Sequence, residues 1–464
     1  MIMRASDLLV MIYGKSPVFI QNIGITIYGI KIFLERYTGK YKQYYKFYNG
    51  RVHKSKKMEE EIQNRKFLKI LYYAKENSPF YRDFYKNIDL TKIKTVKDIN
   101  VLPILSKEIL KQNYDRIFTI KKREGLTFYT GGTTGTPISV RKRRIDVQKR
   151  MAYLDAYKQN FGFINNRMPS ARFFGKNIIP YPPKNSIYWR KNYIAKQRLY
   201  STYYLQDENL IHYIQDLNRF KPVAIDGFPS AIYTVAKYIL DHNIELSFKP
   251  KAVFTTSETL LPIYRYTIEK AFHCTVSDQY ASNEGAPFII QCEFGGYHEA
   301  IDTGVFEHIP TEFGVKLLVT GFDTYGTPLI RYDIGDLIRM ADNKTCRCKS
   351  KHPLIGGVIG RDSNYLVCKS KGRISLSQLS VIISELPGAI NEMQFLQKTR
   401  DTIHVKVVLN DLNVQDKIIE LIKQKLISYL GEDMYFLIDI TKTIERTQSG
   451  KFQLIINQME DNKE

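Results

Sequence analysis

A chain of 464 residues, 44% hydrophobic and 25% charged, is too long for one ordinary domain and too apolar for a disordered protein. Its formal net charge of +22 would suit nucleic acid, an anionic membrane or a polyanionic substrate. Lysine is spread along the whole chain, however, so a compositional bias is the preferred explanation. The five cysteines and the absence of an apolar leader in Met1–Val10 predict a reduced, cytoplasmic protein.

The first hundred residues are predicted to be mainly helical. Met58–Ala74 has apolar residues at helical spacing, and Ser106 is expected to cap a further helix. The longest uncharged stretch, Ser16–Ile30, is shorter than the ~20 residues needed to cross a bilayer. The amphipathic segment Val18–Leu34 is therefore expected to pack on the core, with contact to the inner face of a membrane as the alternative.

From Leu126 onward, short apolar runs alternate with turns and helical stretches. Val223–Asp226 and Ala252–Phe254 are predicted strands, each followed by a turn and a helix, the second helix being Pro262–Phe272. This repetition predicts an α/β domain with a largely parallel sheet. Paired strands are expected at Gly304–Ile309, Val315–Thr320 and Leu337–Met340.

The last hundred residues have a different pattern. Strands are predicted at Met393–Lys398, Ile403–Leu409 and Tyr435–Ile440, with an amphipathic helix at Val414–Tyr429. The fold class is therefore α/β, with mixed sheets and helices in an N-terminal domain of residues 1–359 and a small α+β domain in residues 360–464.

A glycine- and threonine-rich loop, Tyr129–Pro137, is the sharpest local signal. Glycines let backbone N–H groups approach a phosphate closely, and the threonines add hydroxyl donors. No Gly-Lys-Ser/Thr follows, so the loop is not a P-loop, and alone it would fit a surface hairpin as well as a phosphate site. The basic run Arg141–Arg144 beside it is expected to be a solvated loop or a guide for ATP.

Three further motifs follow in chain order. Asp278–Gly285 includes Tyr-Ala-Ser-Asn-Glu, Arg331–Asp336 ends in Gly-Asp, and Gly360-Arg361 precedes a later Ser449–Lys451. With the loop, this order resembles the adenylate-forming (AMP-binding) superfamily. Asn77–Arg82, Leu102-Pro103 with Lys107, and Gly227–Ser230 are typical of its phenylacetate–coenzyme A ligase and CapK-like group, which is associated with surface polysaccharide production.

The resemblance implies a role for each matched residue. The loop would hold the β- and γ-phosphates of ATP, and Tyr280 would lie against adenine. Glu284 would bind Mg²⁺, and Asp336 would accept hydrogen bonds from the ribose hydroxyls. The residues assigned to ATP are Thr130, Gly132, Thr133, Thr134, Gly135, Thr136, Ser257, Glu258, Tyr280, Ala281, Ser282, Asn283, Asp336 and Arg361.

Lys451 and Arg361 are the expected catalytic cations. A lysine that bridges the acid, the α-phosphate and the ribose stabilises charge that grows as the carboxylate attacks phosphorus. Arg361 would lie at the hinge of a mobile C-terminal domain and meet ribose or phosphate. The alternative is that Lys451 is one of many exposed lysines, but its position after Ser449-Gly450 favours catalysis.

Three cysteines and one histidine form a second constellation. Cys292 and His298 precede Cys346 and Cys348, and Cys₃His is a common tetrahedral zinc set. The Cys-x-Cys spacing is tighter than the usual knuckle, so unrelated buried thiols are the alternative. The CapK-like group often shows a similar pattern, and a structural zinc is therefore preferred.

Four positions depart from the superfamily pattern. Ala281 replaces a usual glycine, Gly131 replaces serine, Ile138 replaces a common lysine, and Asp362-Ser363-Asn364 leaves the pivot undefined. None of these changes removes Glu284, Asp336, Arg361 or Lys451, so activity is expected.

The expected function is an ATP-dependent ligase that converts a small carboxylic acid into its acyl-AMP and passes the acyl group to coenzyme A. A sugar amine or a carrier-protein thiol is the alternative acceptor, and a scaffold without activity at a membrane-bound polysaccharide assembly is the alternative class. A homodimer is compatible with the chain. No nucleic acid is expected, because no nucleic-acid-binding motif is recognised.

Overall fold

The computed structural model describes residues 5–50, 55–129, 138–183, 185–312, 314–343, 345–361, 364–386, 389–447 and 449–459. Within these ranges the chain forms twelve α-helices: α1 Ala5–Lys15, α2 Val18–Arg36, α3 Tyr41–Asn49, α4 Lys56–Asn77, α5 Pro79–Phe84, α6 Lys107–Gln112, α7 Arg144–Gln159, α8 Asp207–Phe220, α9 Pro229–Asp241, α10 Pro262–Phe272, α11 Leu376–Ser384 and α12 Gln415–Leu430. The strands among the same residues are β1 Leu126–Tyr129, β2 Ser139–Lys142, β3 Ser170–Phe173, β4 Trp189–Asn192, β5 Gln197–Tyr200, β6 Ala224–Gly227, β7 Ala252–Thr256, β8 Thr275–Tyr280, β9 Ile289–Gln291, β10 Tyr297–Glu299, β11 Gly304–Thr311, β12 Gly314–Gly321, β13 Tyr332–Met340, β14 Leu354–Arg361, β15 Tyr365–Cys368, β16 Gly372–Ser375, β17 Ile390–Gln397, β18 Thr402–Leu409, β19 Tyr435–Ile440 and β20 Ile455–Asn457.

A twelve-stranded sheet forms the body of the molecule, in the order β11-β12-β13-β14-β10-β9-β8-β7-β6-β3-β5-β4. Its middle is parallel, because β5, β3, β6, β7 and β8 pair in that sense, as the strand–turn–helix repeats predict. The sheet as a whole is mixed: β4 and the strands from β9 to β14 pair antiparallel. The expectation of a largely parallel sheet therefore holds only for the middle.

The parallel strands are buried and covered by helices whose apolar sides face them. α9 has a well-separated apolar face, and its Ile232, Val235 and Ile239 enter one core cluster with Val253 of β7 and Ile268 of α10. Pro229 and Pro262 stand at the first positions of α9 and α10, where a missing N–H costs nothing. Both helices match the sequence prediction closely.

The C-terminal residues build a separate four-stranded sheet, in the order β19-β18-β17-β20. In β18 every second residue is buried, so the strand has one face on the core and one face outward. Ile422, Leu426 and Leu430 of α12 pack on that core. This unit confirms the predicted small α+β domain as part of the fold class, while the boundary at residues 359 and 360 stays a prediction.

Helix α2 lies along β4, which is the edge strand of the large sheet. Asn22 accepts a hydrogen bond from the backbone N–H of Lys191 at 2.8 Å, and Gln21 accepts one from Arg190 at 2.5 Å. The segment thus packs on the body, as expected. Among the described helices, α2 is also the one whose length and apolar composition would allow it to cross a membrane, two criteria that buried helices of soluble proteins also meet.

Helix α3 is attached to α7 through polar contacts that surround a buried carboxylate. Asp155 of α7 accepts a hydrogen bond from the Tyr41 hydroxyl at 2.6 Å and another from the Asn165 amide at 3.1 Å. Burial raises the pKa of Asp155 to about 6, although both hydrogen bonds act in the opposite direction. Keeping this carboxylate charged in the folded protein therefore costs free energy.

We predict that Asp155→Asn gains stability relative to the wild type as the pH rises from 4 to 7. The folded protein keeps the Asp155 proton up to about pH 6, whereas the unfolded chain releases it near pH 4. The folded state binds more protons in this window, so the free energy of unfolding falls with rising pH. The neutral amide removes that fall, which amounts to at most about 3 kcal/mol.

Thermal or urea unfolding of both proteins across this pH range would measure the difference. Asp416→Asn, at an exposed position of α12, is the matched control. Parallel stability curves for the wild type and Asp155→Asn would contradict the prediction.

Candidate active site

The carboxyl ends of the central parallel strands open into one cleft of about 1100 Å³. β6 leads into the turn before Ser230, β7 into Ser257-Glu258, and β8 into the segment that ends at Glu284. In α/β sheets, ligands bind at this edge, because the turns that follow the strands meet there. The predicted site residues that line the cleft are Ser257, Glu258, Tyr280, Ala281, Ser282, Asn283, Glu284, Asp336, Arg361 and Lys451.

Asp336 is held between two of the other motifs. The antiparallel register of β13 and β14 places Arg361 directly opposite it, and the Arg361 Nε lies 3.0 Å from one carboxylate oxygen. The Tyr280 hydroxyl donates to the other oxygen at 2.6 Å. Burial, followed by the Asp336 charge, raises the pKa of Tyr280 well above its usual value, so this hydroxyl keeps its proton.

Glu284 is buried in the same cleft, among positive charges. Its carboxylate charge acts to raise the pKa of three cations that line the cleft, Arg361, Lys107 and Lys451. Lys107 is the first residue of α6, directly after the cap Ser106, and Leu105 before it pairs with Tyr332 at the start of β13. A carboxylate in this setting is suited to a cation or to a phosphate-bound metal.

Glu258 connects the large sheet to the C-terminal segment. One of its oxygens accepts from the backbone N–H of Ser230 at 3.2 Å, and the other from that of Phe452 at 2.7 Å. Burial raises the pKa of this carboxyl. Ser257 beside it has a φ of +73°, a left-handed conformation that is uncommon for a residue with a side chain.

Lys451 extends into the cleft from the segment that precedes β20. Its backbone N–H donates to the Thr447 hydroxyl at 3.0 Å, which steadies the turn around Gly450. Burial lowers the pKa of the Lys451 amine, and the charge of Glu258 partly offsets this shift. The alternative of a freely exposed lysine does not fit this position.

Two glycines let the C-terminal segment approach the large sheet closely. A Cβ added at Gly175 would lie 1.6 Å from the Ser449 carbonyl oxygen, and one added at Gly450 would lie 2.3 Å from the Gly175 Cα. Gly450 also has a φ of +73°. The backbones therefore touch where no side chain would fit.

The glycine- and threonine-rich loop lies outside the described residues, and with it Thr130, Gly132, Thr133, Thr134, Gly135 and Thr136. Its two described ends form a hairpin, since Tyr129 of β1 pairs with Ser139 of β2. The Asn283 side chain donates to the Tyr129 carbonyl at 3.1 Å, so the start of the loop adjoins the Glu284 side of the cleft.

The basic run after this loop is not a solvated loop, contrary to one expectation. The Arg141 guanidinium lies 3.7 Å from the centre of the Phe118 ring, and Arg143 makes two hydrogen bonds to Asp146. Lys142 is buried, which lowers its pKa to about 7. Three of the four cations thus take part in packing, with partners that lie outside the run itself.

The inner face of α2 forms a wall of the cleft that the sequence patterns did not indicate. Ile25, Tyr28, Gly29, Ile32 and Arg36 line it. Other residues of the cleft lining are Arg172, Phe174, Leu199, Tyr200 and Phe228. Phe228 and Ser230, from the segment that is typical of the CapK-like group, are among the lining residues.

The cysteine and histidine constellation is assembled as predicted. Among the described residues, one candidate atom each of Cys292, His298, Cys346 and Cys348 lies within 4.8 Å of all the others. The Cys292 and Cys346 sulfurs are 3.6 Å apart, and the Cys348 sulfur is 3.2 Å from the His298 Nε2. Two thiolates on one tetrahedral zinc would be about 3.8 Å apart, so the donor set fits.

Some known proteins are similar to this chain in sequence, and others are similar in fold. A family model described as the CapK C-terminal domain matches residues 366–458. The protein CapK of Staphylococcus aureus is 37% identical over 454 residues, which cover 96% of this chain and 98% of that protein.

Solved structures of 2-hydroxyisobutyryl-CoA ligase are also similar. In its postadenylation state with R3-HIB-AMP, the identity is 15% and the TM-score 0.67, over 85% of this chain and 88% of that one. In its thioesterification state with 2-HIB-AMP and CoA, the values are 16% and 0.55, over 88% and 91%. These matches confirm the predicted fold, a large N-terminal domain followed by a small C-terminal one.

We predict that Gly175→Ala separates the C-terminal segment from the large sheet. The added methyl would overlap the Ser449 carbonyl, and relieving such overpacking costs about 1–3 kcal/mol. Limited proteolysis should therefore cut the segment around Ser449 faster, and thermal unfolding should begin at a lower temperature. Gly24→Ala is the control, because a methyl there meets the Tyr13 ring at an ordinary 3.7 Å. Unchanged proteolysis of Gly175→Ala would contradict this interpretation of the contact.

Proposed function

This chain belongs to the CapK family, and we propose that it is an adenylate-forming ligase that activates a carboxylic acid as its acyl-AMP. The observation that carries the proposal is the convergence of Glu284, Asp336, Arg361 and Lys451, distant in sequence, on one cleft. The cleft lies at the carboxyl ends of parallel strands, where nucleotides bind in α/β folds.

We propose that the nucleotide lies along the Asp336 side of the cleft. Arg361 and Tyr280 hold the Asp336 carboxylate in a fixed orientation in the cleft, and a carboxylate suits the two vicinal hydroxyl donors of a ribose. Ser257, Glu258 and the Tyr280–Asn283 segment would surround adenine. The loop Thr130–Thr136 would hold the β- and γ-phosphates, and the position of its described ends beside Asn283 supports this.

Magnesium would be bound through Glu284. Mg²⁺ in nucleotide sites takes one or two protein carboxylates and completes its shell with phosphate oxygens and water. A single buried carboxylate next to the phosphate loop fits this requirement. When bound, the metal would offset part of the charge on the phosphates.

The reaction proposed is attack by the substrate carboxylate on the α-phosphorus of ATP. A new bond forms between carboxylate oxygen and phosphorus, the bond to the β-phosphate oxygen breaks, and pyrophosphate leaves. Lys451 places a positive charge at the point where negative charge accumulates, and the cleft excludes part of the water around it, which strengthens the interaction. Its lowered pKa would be raised again by the polyanionic nucleotide.

Coenzyme A is the proposed acceptor in the second step, with transfer to a sugar amine or a carrier protein as the alternative. The similar 2-hydroxyisobutyryl-CoA ligase has been solved in complex with CoA, which supports the first choice. To admit the acceptor, the C-terminal domain would rotate about the Arg361 region and break the contact of Gly175 with Gly450. We further propose a cytoplasmic role in surface polysaccharide biosynthesis, because the CapK-like group that the motifs resemble is associated with it.

A structural zinc is proposed for Cys292, His298, Cys346 and Cys348. The His298 Nδ1 lies 3.3 Å from the His352 carbonyl oxygen, the kind of partner that orients a zinc-bound imidazole. None of these four residues lines the cleft, so the metal would hold β9, β10 and the segment 346–352 together and take no part in catalysis.

We predict that Lys451→Ala slows acyl-AMP formation by about 10²–10³-fold, because one charge that stabilises the transition state is lost. ATP–pyrophosphate exchange with a panel of hydroxy, aromatic and fatty acids would measure the rate. ATP should still raise the melting temperature of the variant, since Asp336 and the loop remain.

Lys442→Ala, at an exposed position of the same domain, is the control and should keep the wild-type rate. An exchange rate of Lys451→Ala equal to that of the wild type would show that Lys451 is not needed for acyl-AMP formation. A wild-type protein that neither exchanges pyrophosphate nor binds ATP would instead support the scaffold without activity.

We predict about one zinc per chain in protein purified without chelators, measured by elemental mass spectrometry. Cys346→Ser/Cys348→Ser should lose the metal and melt at a lower temperature, because zinc binding energy is part of folding energy. Cys274→Ser, whose sulfur packs beside the core away from the cluster, should retain it. Equal zinc content in all three proteins would rule out the site.

A further inference from the structure

Helix α2 faces solvent with its apolar side. The outward row repeats at intervals of three or four residues, which is one face of a helix. Its members are between 41% and 65% exposed: Phe19, Ile23, Ile27, Ile30 and Leu34. Leu9, Val10 and Ile12 of α1 add to the exposed apolar surface. A continuous row of this kind marks an interaction site more often than an ordinary surface.

The inward side of α2 carries buried polar residues beside the apolar ones that line the cleft, unlike the uniformly apolar inner face of a usual surface helix. Gln21 and Asn22 are buried and bonded to Arg190 and Lys191 of β4. The Thr26 hydroxyl donates a further hydrogen bond to the Lys191 carbonyl oxygen at 3.4 Å. Leaving the body would break these bonds, so α2 is built to lie on a surface and not to cross a bilayer.

The charge of this N-terminal region favours an anionic partner. The first fifty residues contain more basic than acidic side chains, namely Arg4, Lys15, Lys31, Arg36, Lys40, Lys42 and Lys46 against Asp7 and Glu35. Lys15, at the end of α1, and Lys31, between Ile30 and Leu34 of the apolar row, are both exposed. A second copy of this chain, also with a net charge of +22, would place like charges together.

We propose that α1 and α2 dock in the interface of an anionic lipid bilayer, with the apolar row of α2 buried among the acyl chains and the lysines at the headgroups. Apolar burial and attraction to anionic lipid add in such helices. The docking concerns the outer face of α2 and is independent of any reaction in the cleft.

Vesicle flotation of the full chain, without ATP, tests the proposal. The wild type should float with vesicles of phosphatidylcholine and phosphatidylglycerol, and at least about tenfold less with phosphatidylcholine alone. Ile23→Glu/Ile27→Glu should reduce binding to the anionic vesicles at least about tenfold. Neither residue lines the cleft, so ATP–pyrophosphate exchange and the circular dichroism spectrum should be unchanged.

Val101→Glu/Leu412→Glu is the matched control, because these apolar side chains are 56% and 61% exposed but lie elsewhere. This control should float like the wild type. The proposal is overturned if the wild type does not float, if neutral vesicles bind it equally, or if both double variants behave alike. It is also overturned if light scattering shows a dimer without lipid that Ile23→Glu/Ile27→Glu converts to a monomer.

Discussion

The pairing of Asp336 with Arg361 is the interaction on which the cleft depends. It is a consequence of strand register, because β13 and β14 run antiparallel with these two residues opposite each other. Tyr280, at the end of β8, joins them through its hydroxyl. Two charges that leave water together are tolerated when hydrogen bonds satisfy the remaining sites, and losing one partner leaves the other buried and unpaired.

This pair also lies at the junction of the two sheets. Arg361 ends β14, the last strand of the large sheet in chain order, and the chain then continues into the C-terminal unit. The C-terminal unit returns to the cleft at two places, where Glu258 accepts from the Phe452 N–H and where Gly450 meets Gly175. Leu261, which precedes α10, also belongs to the apolar core of the C-terminal unit, so polar, backbone and apolar contacts together hold this unit against the large sheet.

Local sequence patterns predicted the elements that local chemistry determines. α10 follows its prediction because proline starts it, apolar spacing continues it and its core side chains pack where the spacing indicates. The cleft residues could be named because their motifs keep a fixed order along the chain. The antiparallel β9 and β10 were not anticipated, since strands of three residues carry too little periodicity to be recognised.

Tertiary partners decided what the sequence left open. The basic run at Arg141–Arg144 looked solvated because its ring and carboxylate partners are remote or on the next helix turn. Amphipathic spacing predicted α2, but it cannot say which residues turn inward, and the helix buries the polar Gln21 and Asn22 against the body. The loop at Thr130–Thr136 lies outside the described residues, so its expected contacts with ATP stay predictions.

The seat of α2 on β4 has a practical consequence for anyone who would shorten this protein. β4 is a sheet edge, and Asn22 and Thr26 occupy backbone groups that an unprotected edge would offer to another strand. The same helix supplies Tyr28 and Ile32 to the cleft wall. Removing α2 to improve solubility would eliminate exposed apolar side chains, but it would also leave β4 as an unprotected edge strand that can pair with other chains. The same deletion would remove one wall of the cleft.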